Sequence, residues 1–226
     1  MSEFETVSNV IRKRKTTKVF AADGSAVDVP DELRRLHDAQ VRESIATAGW
    51  APFHFDRKID GIAEPWRVNV LWTPACRELA GELTKLAPEM KPNNKLPALL
   101  NACGATVLVD WLPVDVGEVA DDLKRTEMNN EHLAATAAYV QNLVLLFAAC
   151  DLETYWASAF LLGSTAVRAR LGLRPSAKLL AGVFVSYGSA QHDELTRAPG
   201  GNREKRSPVI RWTKEVESLS GSIPSL

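Results

Sequence analysis

The chain has 226 residues, of which 46% are hydrophobic and 24% are charged, and its formal net charge is −1 at pH 7. These values are typical of a soluble globular protein, and we expect residues 1–226 to form one domain. The near-neutral charge argues against partners that are bound through a global field, such as nucleic acid or an anionic membrane. The N-terminus lacks an apolar signal stretch and no apolar run approaches the ~20 residues of a membrane helix, so we expect a cytoplasmic protein.

Helical and strand patterns follow one another irregularly along the chain. Apolar residues spaced three or four apart indicate helices, whereas strict alternation indicates a half-buried strand. In chain order, we predict a short helix capped by Ser8, a helix capped by Asp38 and stopped by Pro52, a strand over 66–72, a helix from Thr73-Pro74, a loop over 88–97, a buried strand over 105–109, a long helix from Asn130 to Cys150, a strand over 154–156, a helix from Ser164 to Gly172, a strand over 179–187, a polar loop over 188–206 and an outward-reaching segment from Pro208.

This order of elements predicts an α+β fold with a small mixed sheet, because repeating βαβ units are missing. The long helix is apolar nearly all round, so we expect it to be buried in the core or at an interface. The three cysteines, Cys76, Cys103 and Cys150, are far apart in sequence and lie in apolar surroundings without a CxxC motif. Reduced, buried thiols are the expectation.

Several catalytic motifs are absent from the sequence. It contains no GxGxxG fingerprint, no GxxxxGK[ST] phosphate loop and no GxSxG nucleophile elbow. The four histidines show no paired-ligand spacing, so we expect no metal site. These absences argue against hydrolases, kinases and metalloenzymes together.

Two basic clusters lie near opposite ends of the chain. The first is Arg14-Lys15-Thr16-Thr17-Lys18-Val19-Phe20, and the second contains Lys205-Arg206. Cations combined with a hydroxyl suit a phosphate monoester. Taken alone, the first cluster is better explained as a solvated basic face and the second as a charged loop, and the first could also be an arm that contacts nucleic acid. The neutral charge balance and the lack of nearby aromatic residues for base stacking disfavour the last alternative.

Two further segments carry polar or aromatic groups that could meet a planar ligand. Ala51-Pro52-Phe53-His54 ends a helix and precedes Glu64-Pro65-Trp66 after a gap. Gln141-Asn142 places two amides in an otherwise apolar helix, where buried amides need partners. The alternatives are a helix stop with a surface histidine, and amides that are satisfied internally.

Taken in order, these segments resemble the motifs of the FMN-dependent nitroreductase family, in its compact APxH-type branch. The family typically shows RRSxRxF, then APSxxNxQPWxF, QN in a long central helix, GLGxxW, and a basic pair near the end. The counterparts here are residues 14–20, 51–54 with 64–66, Gln141-Asn142, residues 151–156 and Lys205-Arg206. The sequence departs from the family pattern at Phe53, Glu64 and Asp151, and by about seven extra residues within 55–63.

The resemblance implies a nitroreductase-like homodimer with FMN at the subunit interface. It implies an oxidoreductase that passes electrons from NAD(P)H to a small acceptor such as a nitroaromatic or a quinone, with the flavin rather than a side chain carrying the chemistry. An FMN-sequestering protein with little turnover is the alternative. The implied cofactor-binding residues are Arg14, Lys15, Thr16, Lys18, Pro52, Phe53, His54, Gln141, Asn142, Trp156, Ala157, Ser158, Lys205 and Arg206.

Overall fold

A computed structural model describes residues 1–85, 95–158, 161–187, 195–202, 205–214 and 216. Within these ranges the regular elements follow one another as helices and strands in an order that is not a βαβ repeat. They are α1 (Glu3–Lys13), β1 (Thr17–Ala21), α2 (Asp31–Ala48), β2 (Trp66–Trp72), α3 (Thr73–Lys85), α4 (Leu96–Ala102), β3 (Cys103–Trp111), α5 (Asp122–Ala149), β4 (Glu153–Ala157), α6 (Thr165–Arg170), β5 (Lys178–Ser186) and β6 (Leu195–Pro199).

The central sheet has four strands in the order β2-β3-β5-β4, and each neighbouring pair is antiparallel. β3 is apolar along most of its length and all but its last residue are buried, as expected for a strand covered on both faces. β1 and β6 form a separate antiparallel pair. A parallel bridge between Thr16 and Thr154 joins this pair to the edge strand β4. The predicted α+β class with a small sheet is confirmed, and parallel register among the described residues is limited to that bridge.

Helices cover both faces of the sheet and divide the core into two clusters. On one face α5 contributes Tyr139, Leu143 and Phe147 to a cluster that also includes residues of α2 and β3. On the other face α3 and α4 pack against β3 and against Phe184 of β5. By length and composition α5 could also cross a membrane. Its buried residues at the centre of the core are instead those of a core helix.

Three predicted helix starts were wrong. α1 begins at a capping box in which Ser2 and Glu5 satisfy each other's backbone N–H groups, and Ser8 lies inside the helix. α5 is capped by Asp121, well before Asn130. α2 follows Pro30. The predicted cap Asp38 instead lies within α2, where its Oδ1 accepts a 2.9 Å hydrogen bond from the Tyr187 hydroxyl.

The predicted strands over 66–72, 105–109, 154–156 and 179–187 are confirmed as β2, β3, β4 and β5, within two residues at each end. The helix capped by Ser164 is also confirmed, and Gly172 follows its end with a φ of 64°. Three elements were missed, and the first is β1, which lies in the basic segment to which no strand was assigned. α4 begins inside the predicted 88–97 loop, and β6 lies inside the predicted 188–206 loop. Residues 88–94, 188–194 and 203–204 of these loops lie outside the described part of the chain.

Candidate cofactor site

The two ends of the chain meet at the β1–β6 pair. Thr17 is opposite Pro199 in the antiparallel register, and the backbone N–H of Gly200 donates to the Thr16 carbonyl at 2.9 Å. The approach is close, since a Cβ added at Gly200 would lie 3.1 Å from the Thr16 Cβ. The basic segments that precede β1 and follow β6 therefore leave the same end of one strand pair.

The first basic segment is ordered around Thr16. Arg14 Nη1 donates to the Thr16 hydroxyl at 3.4 Å, and both side chains are half-buried. Lys18 lies two residues after Thr16, in β1, and its Nζ is 4.8 Å from the centroid of the Tyr155 ring on β4. Lys15 is exposed. A hydroxyl and at least two cations therefore lie next to the edge of the central sheet.

The second basic segment begins directly after Gly200. Lys205 and Arg206 are both exposed, and the Lys205 N–H donates to the Asn202 carbonyl at 3.2 Å in a turn. Neither of these side chains has a side-chain hydrogen bond or ion pair in the described part of the structure, where both are open to a ligand or solvent. The hydrogen bond from Gly200 places the start of this segment, five residues before Lys205, beside Thr16.

Neighbouring cations already have acidic partners. Lys13 forms an ion pair with Asp151, and Arg197 Nε lies 3.2 Å from Glu153 Oε2. Asp151 has a φ of 58°, the left-handed conformation that glycine adopts most easily and that aspartate tolerates. Asp151 follows the end of α5 in this conformation and pairs with Lys13. The family pattern has glycine at the corresponding position.

Trp156, Ala157 and Ser158 lie at the end of the edge strand β4. β5 pairs with one side of β4, and on the other side β1 reaches it through the single Thr16–Thr154 bridge. Alternate backbone groups of an edge strand point away from its partner and are open to a ligand. Trp156 packs on the α5 side of the sheet, and Ser158 is exposed.

A second group of candidate residues lies where α2 ends. Pro52 is exposed, whereas Phe53 is half-buried and packs edge-on against Trp66 with ring centroids 5.7 Å apart. Trp66 in turn stacks on Tyr139 of α5 at 5.3 Å. His54 is exposed, with its Nε2 4.0 Å from Glu131 Oε2. The prediction that this helix ends before Pro52 is confirmed, since α2 ends at Ala48. The aromatic rings of Phe53, Trp66 and Tyr139 pack in sequence next to this helix end.

Gln141 and Asn142 lie on α5 after the residues that contact this group. Gln141 is exposed and Asn142 is half-buried. Neither amide side chain is fully buried, and their contact with a ligand stays a prediction. Because Glu131 is ten residues before Gln141, the two lie about 15 Å apart along the helix axis. α5 thus runs from the neighbourhood of His54 towards the start of β4.

Sequence reasoning missed the role of the extra segment at 55–63. Arg57 is buried, and its guanidinium forms a bidentate ion pair with Glu118 at 2.5 and 2.6 Å. It also donates to the Leu112 carbonyl at 3.1 Å and to the Pro113 carbonyl at 2.7 Å. The ion pair lowers the pKa of Glu118 through the hydrogen bond from Arg57. A single arginine among polar residues gave no sequence signal for this clamp.

His132 of α5 lies beside the clamp and is 1% exposed. Neither of its ring nitrogens has a hydrogen-bond partner among the described residues. Burial lowers the pKa of His132, and the positive charge of Arg57 lowers it further. Burial therefore favours the neutral form of the imidazole. Among the described residues, no group of three or more His, Cys, Asp or Glu could hold a metal ion.

Comparison with solved structures identifies the fold, although no family model and no curated protein matches the sequence. A nitroreductase-like family protein from Bacillus cereus superposes with a TM-score of 0.62 at 19% identity, over 96% of this chain and 100% of that one. Nitroreductase CinD from Lactococcus lactis, in complex with chloramphenicol, gives 0.61 at 19% identity over 93% and 99%. The FMN-dependent nitroreductase NfnB from Mycobacterium smegmatis, in complex with NADPH, gives 0.58 at 14% identity over 95% and 100%.

The class of protein that these superpositions define is a nitroreductase-like α+β fold spanning nearly the whole chain. The predicted resemblance is confirmed at the level of fold.

Proposed function

We propose that this protein binds FMN, as one domain over residues 1–226, and transfers electrons from NAD(P)H to a small acceptor such as a nitroaromatic or a quinone. The observation that carries the proposal is the hydrogen bond between Gly200 and Thr16. It joins basic segments from both ends of the chain beside an open strand edge, within a nitroreductase-like fold.

The phosphate end of FMN fits the first group of residues. Arg14, Thr16 and Lys18 supply cations and a hydroxyl, and Lys205 and Arg206 add two exposed cations after Gly200. A dianion needs such forked and point-charge donors, and a neutral chain has no other evident reason to gather them. The exposed side chain of Lys15 would add a further cation at this end of the site.

The ring end of FMN fits the edge strand and the two polar segments near α5. Backbone N–H groups at Ala157 and Ser158 would donate to the polar edge of the ring, beside Trp156. Pro52, Phe53 and His54 would lie along the ring, and Gln141 and Asn142 would bind its carbonyl groups or the ribityl hydroxyls. The bound flavin would supply the hydride and electron chemistry, while these residues supply orientation and electrostatics.

The donor and acceptor classes come from structural neighbours. NfnB is an FMN-dependent nitroreductase seen with NADPH, and CinD is a nitroreductase seen with chloramphenicol. With identities of 14% and 19%, these proteins support the type of reaction rather than a particular substrate. The composition and charge of the chain are consistent with a cytoplasmic enzyme.

A homodimer is part of the proposal. Helix α1 has no buried residue, and its apolar side chains Phe4, Val7 and Ile11 are 79%, 56% and 50% exposed. Their spacing places them along one face of the helix. An apolar stripe of this kind is typical of a surface that another subunit covers. FMN at that interface would draw residues from both subunits.

A flavin-sequestering protein with little turnover is the second candidate. The segment 55–63 is tied down by the Arg57 clamp and by a hydrogen bond from Arg57 N to the Ala63 carbonyl at 2.7 Å. This fixed insertion interrupts the residues that would lie along the ring. It favours a site that holds flavin but limits access for a second substrate.

Steady-state turnover separates the two candidates. The purified protein is loaded with FMN, and oxidation of NADH and NADPH is followed at saturating nitroaromatic or quinone. The proposed enzyme gives acceptor-dependent oxidation that scales with bound FMN. Bound flavin that neither nicotinamide reduces would establish the sequestering alternative, and a protein that takes up no FMN would contradict both.

A further inference from the structure

Two buried thiols lie together in the core between α3 and β3. Cys76 on α3 is 0% exposed and Cys103, the first residue of β3, is 2% exposed. Their separation in sequence suggested unrelated buried cysteines, but α3 packs against β3 and brings them to one place. Both are free thiols.

The hydroxyl of Thr106 connects the two sulfurs. Its Oγ1 lies 3.4 Å from Cys76 Sγ and 3.2 Å from Cys103 Sγ. The Cys76 thiol also donates to the Leu71 carbonyl at 3.2 Å. Because one oxygen contacts both sulfurs, the sulfurs lie within a few ångströms of each other. A disulfide would require rotation about the side-chain bonds to bring the two sulfurs to about 2.05 Å.

The two thiols differ in acidity. Hydrogen bonding to the Cys103 thiol lowers the pKa of Cys76, whereas burial raises the pKa of Cys103. The guanidinium of Arg77 is held nearby by a 3.1 Å hydrogen bond to the Cys103 carbonyl, and its positive charge favours thiolate formation. Cys76 is therefore the better nucleophile of the pair.

A small cavity borders Cys103. It is lined by Cys103, Thr17, Tyr155 and Ser186, among other residues, and its volume is ≈ 10 Å³. That is about the room of one water molecule. An oxidant the size of hydrogen peroxide needs little adjustment to enter, whereas a bulky disulfide such as oxidised glutathione is excluded.

We propose that Cys76 and Cys103 form a peroxide-reactive dithiol, a modification site in which hydrogen peroxide joins the two sulfurs in an intramolecular disulfide. The cavity borders Cys103, so access rather than acidity decides the first step. The Cys103 sulfur attacks one peroxide oxygen as the O–O bond breaks, and the other oxygen leaves as hydroxide, which takes up the thiol proton and becomes one water. Cys103 is then a sulfenic acid. The Cys76 thiolate then attacks the Cys103 sulfur, and the S–S bond forms. Hydroxide leaves and takes up the proton that Cys76 lost, giving a second water. The reaction requires no flavin.

Peptide mapping of the native wild-type protein tests this directly. The protein is treated with hydrogen peroxide, unfolded, alkylated and digested without reductant. We expect a cross-linked peptide pair containing Cys76 and Cys103, lighter by two hydrogen atoms and separated by dithiothreitol. Oxidised glutathione at the same concentration is expected to form it at least about tenfold more slowly, because the cavity excludes it.

Variants provide the controls. Cys150→Ser removes the third, half-buried thiol and should leave the cross-link unchanged, whereas Cys103→Ser should abolish it, with folding of each variant checked by thermal unfolding. Recovery of both wild-type thiols in alkylated form after peroxide treatment would overturn the proposal. So would a cross-link that involves Cys150, or one that forms equally fast with oxidised glutathione.

Discussion

The backbone N–H of Gly200 donates to the carbonyl of Thr16, and this bond places two basic segments from opposite ends of the chain at one edge of the fold. Removing one cation from each segment, as Arg14→Ala with Arg206→Ala, should therefore weaken FMN binding without affecting riboflavin. Two lost charge-assisted contacts correspond to about 100-fold in the dissociation constant. Fluorescence titration of the flavin-free protein measures both ligands.

A charge-matched control separates local from general electrostatics. Arg35→Ala with Lys124→Ala removes the same charge from exposed positions on α2 and α5. FMN affinity should then stay within about twofold of wild type, as expected for screened, distant charges. An equal loss in both double variants would mean that the basic segments do not bind the phosphate.

Position 104 needs a glycine because the ring of Tyr187 occupies the space that a Cβ would fill. A Cβ at position 104 would lie 1.9 Å from Cδ2 of that ring, which is fully buried and anchored to Asp38 by its hydroxyl. Gly104→Ala should cost at least about 3 kcal/mol of unfolding free energy, because neither the strand nor the ring can give way. Gly81→Ala is the matched control, since open space surrounds that helical glycine. It should stabilise by about 0.5–1 kcal/mol in urea unfolding, and a similar loss in both would contradict the packing argument.

The Arg57 clamp should fix the 55–63 segment. Arg57→Ala leaves two backbone carbonyls and Glu118 without their donor, so we expect a loss of about 2–4 kcal/mol and faster tryptic cleavage after the exposed Lys58. Arg170→Ala removes an exposed arginine that pairs with Glu78 and Glu82, and it should change the unfolding free energy far less because exposed ion pairs are weak. Unchanged cleavage at Lys58 would show that the segment is held by other contacts.

His132 should make the fold less stable in mild acid. Its pKa in the folded state is lowered from 6.5, so the neutral imidazole stabilises the fold fully above that value. The contribution is lost as the pH falls from 6.5 towards the folded pKa, with a slope of at most about 1.4 kcal/mol per pH unit. Glu118, whose pKa is also lowered, loses its contribution only below its ordinary value of 4.5. In urea unfolding between pH 7.5 and 5, the free energy of unfolding should fall more steeply with decreasing pH in the wild type than in His132→Leu, and equal slopes would contradict the role of His132.

The sequence predicted the interior strands well and the polar boundaries poorly. Apolar runs predict β3 and β5, and the capping residue Ser164 predicts the start of α6. These signals are local, since each depends on only a few neighbouring residues. Asp121 was missed because the first turns of α5 are polar and exposed, so apolar periodicity begins only later. The spacing of Ser2 and Glu5 fits a capping box, so this helix start could have been predicted from the sequence.

The candidate site was predictable in composition but not in geometry. The two basic clusters stood out as charge patterns, yet their meeting depends on β6, an exposed strand without an apolar pattern. Tyr155 beneath Lys18 and Glu131 beside His54 are contacts between distant segments, which no local pattern specifies. The clamp of Arg57 on Glu118 is of the same kind, because a buried ion pair looks like surface charge in a sequence.

The binding of FMN compared with riboflavin by the flavin-free wild-type protein is the most direct test of the central claim, since the two ligands differ only in the phosphate. We expect FMN to bind at least about 100-fold more tightly, in a salt-sensitive manner, because cations from both chain ends neutralise the dianion. Equal affinity for the two flavins, or no binding of either, would contradict the account.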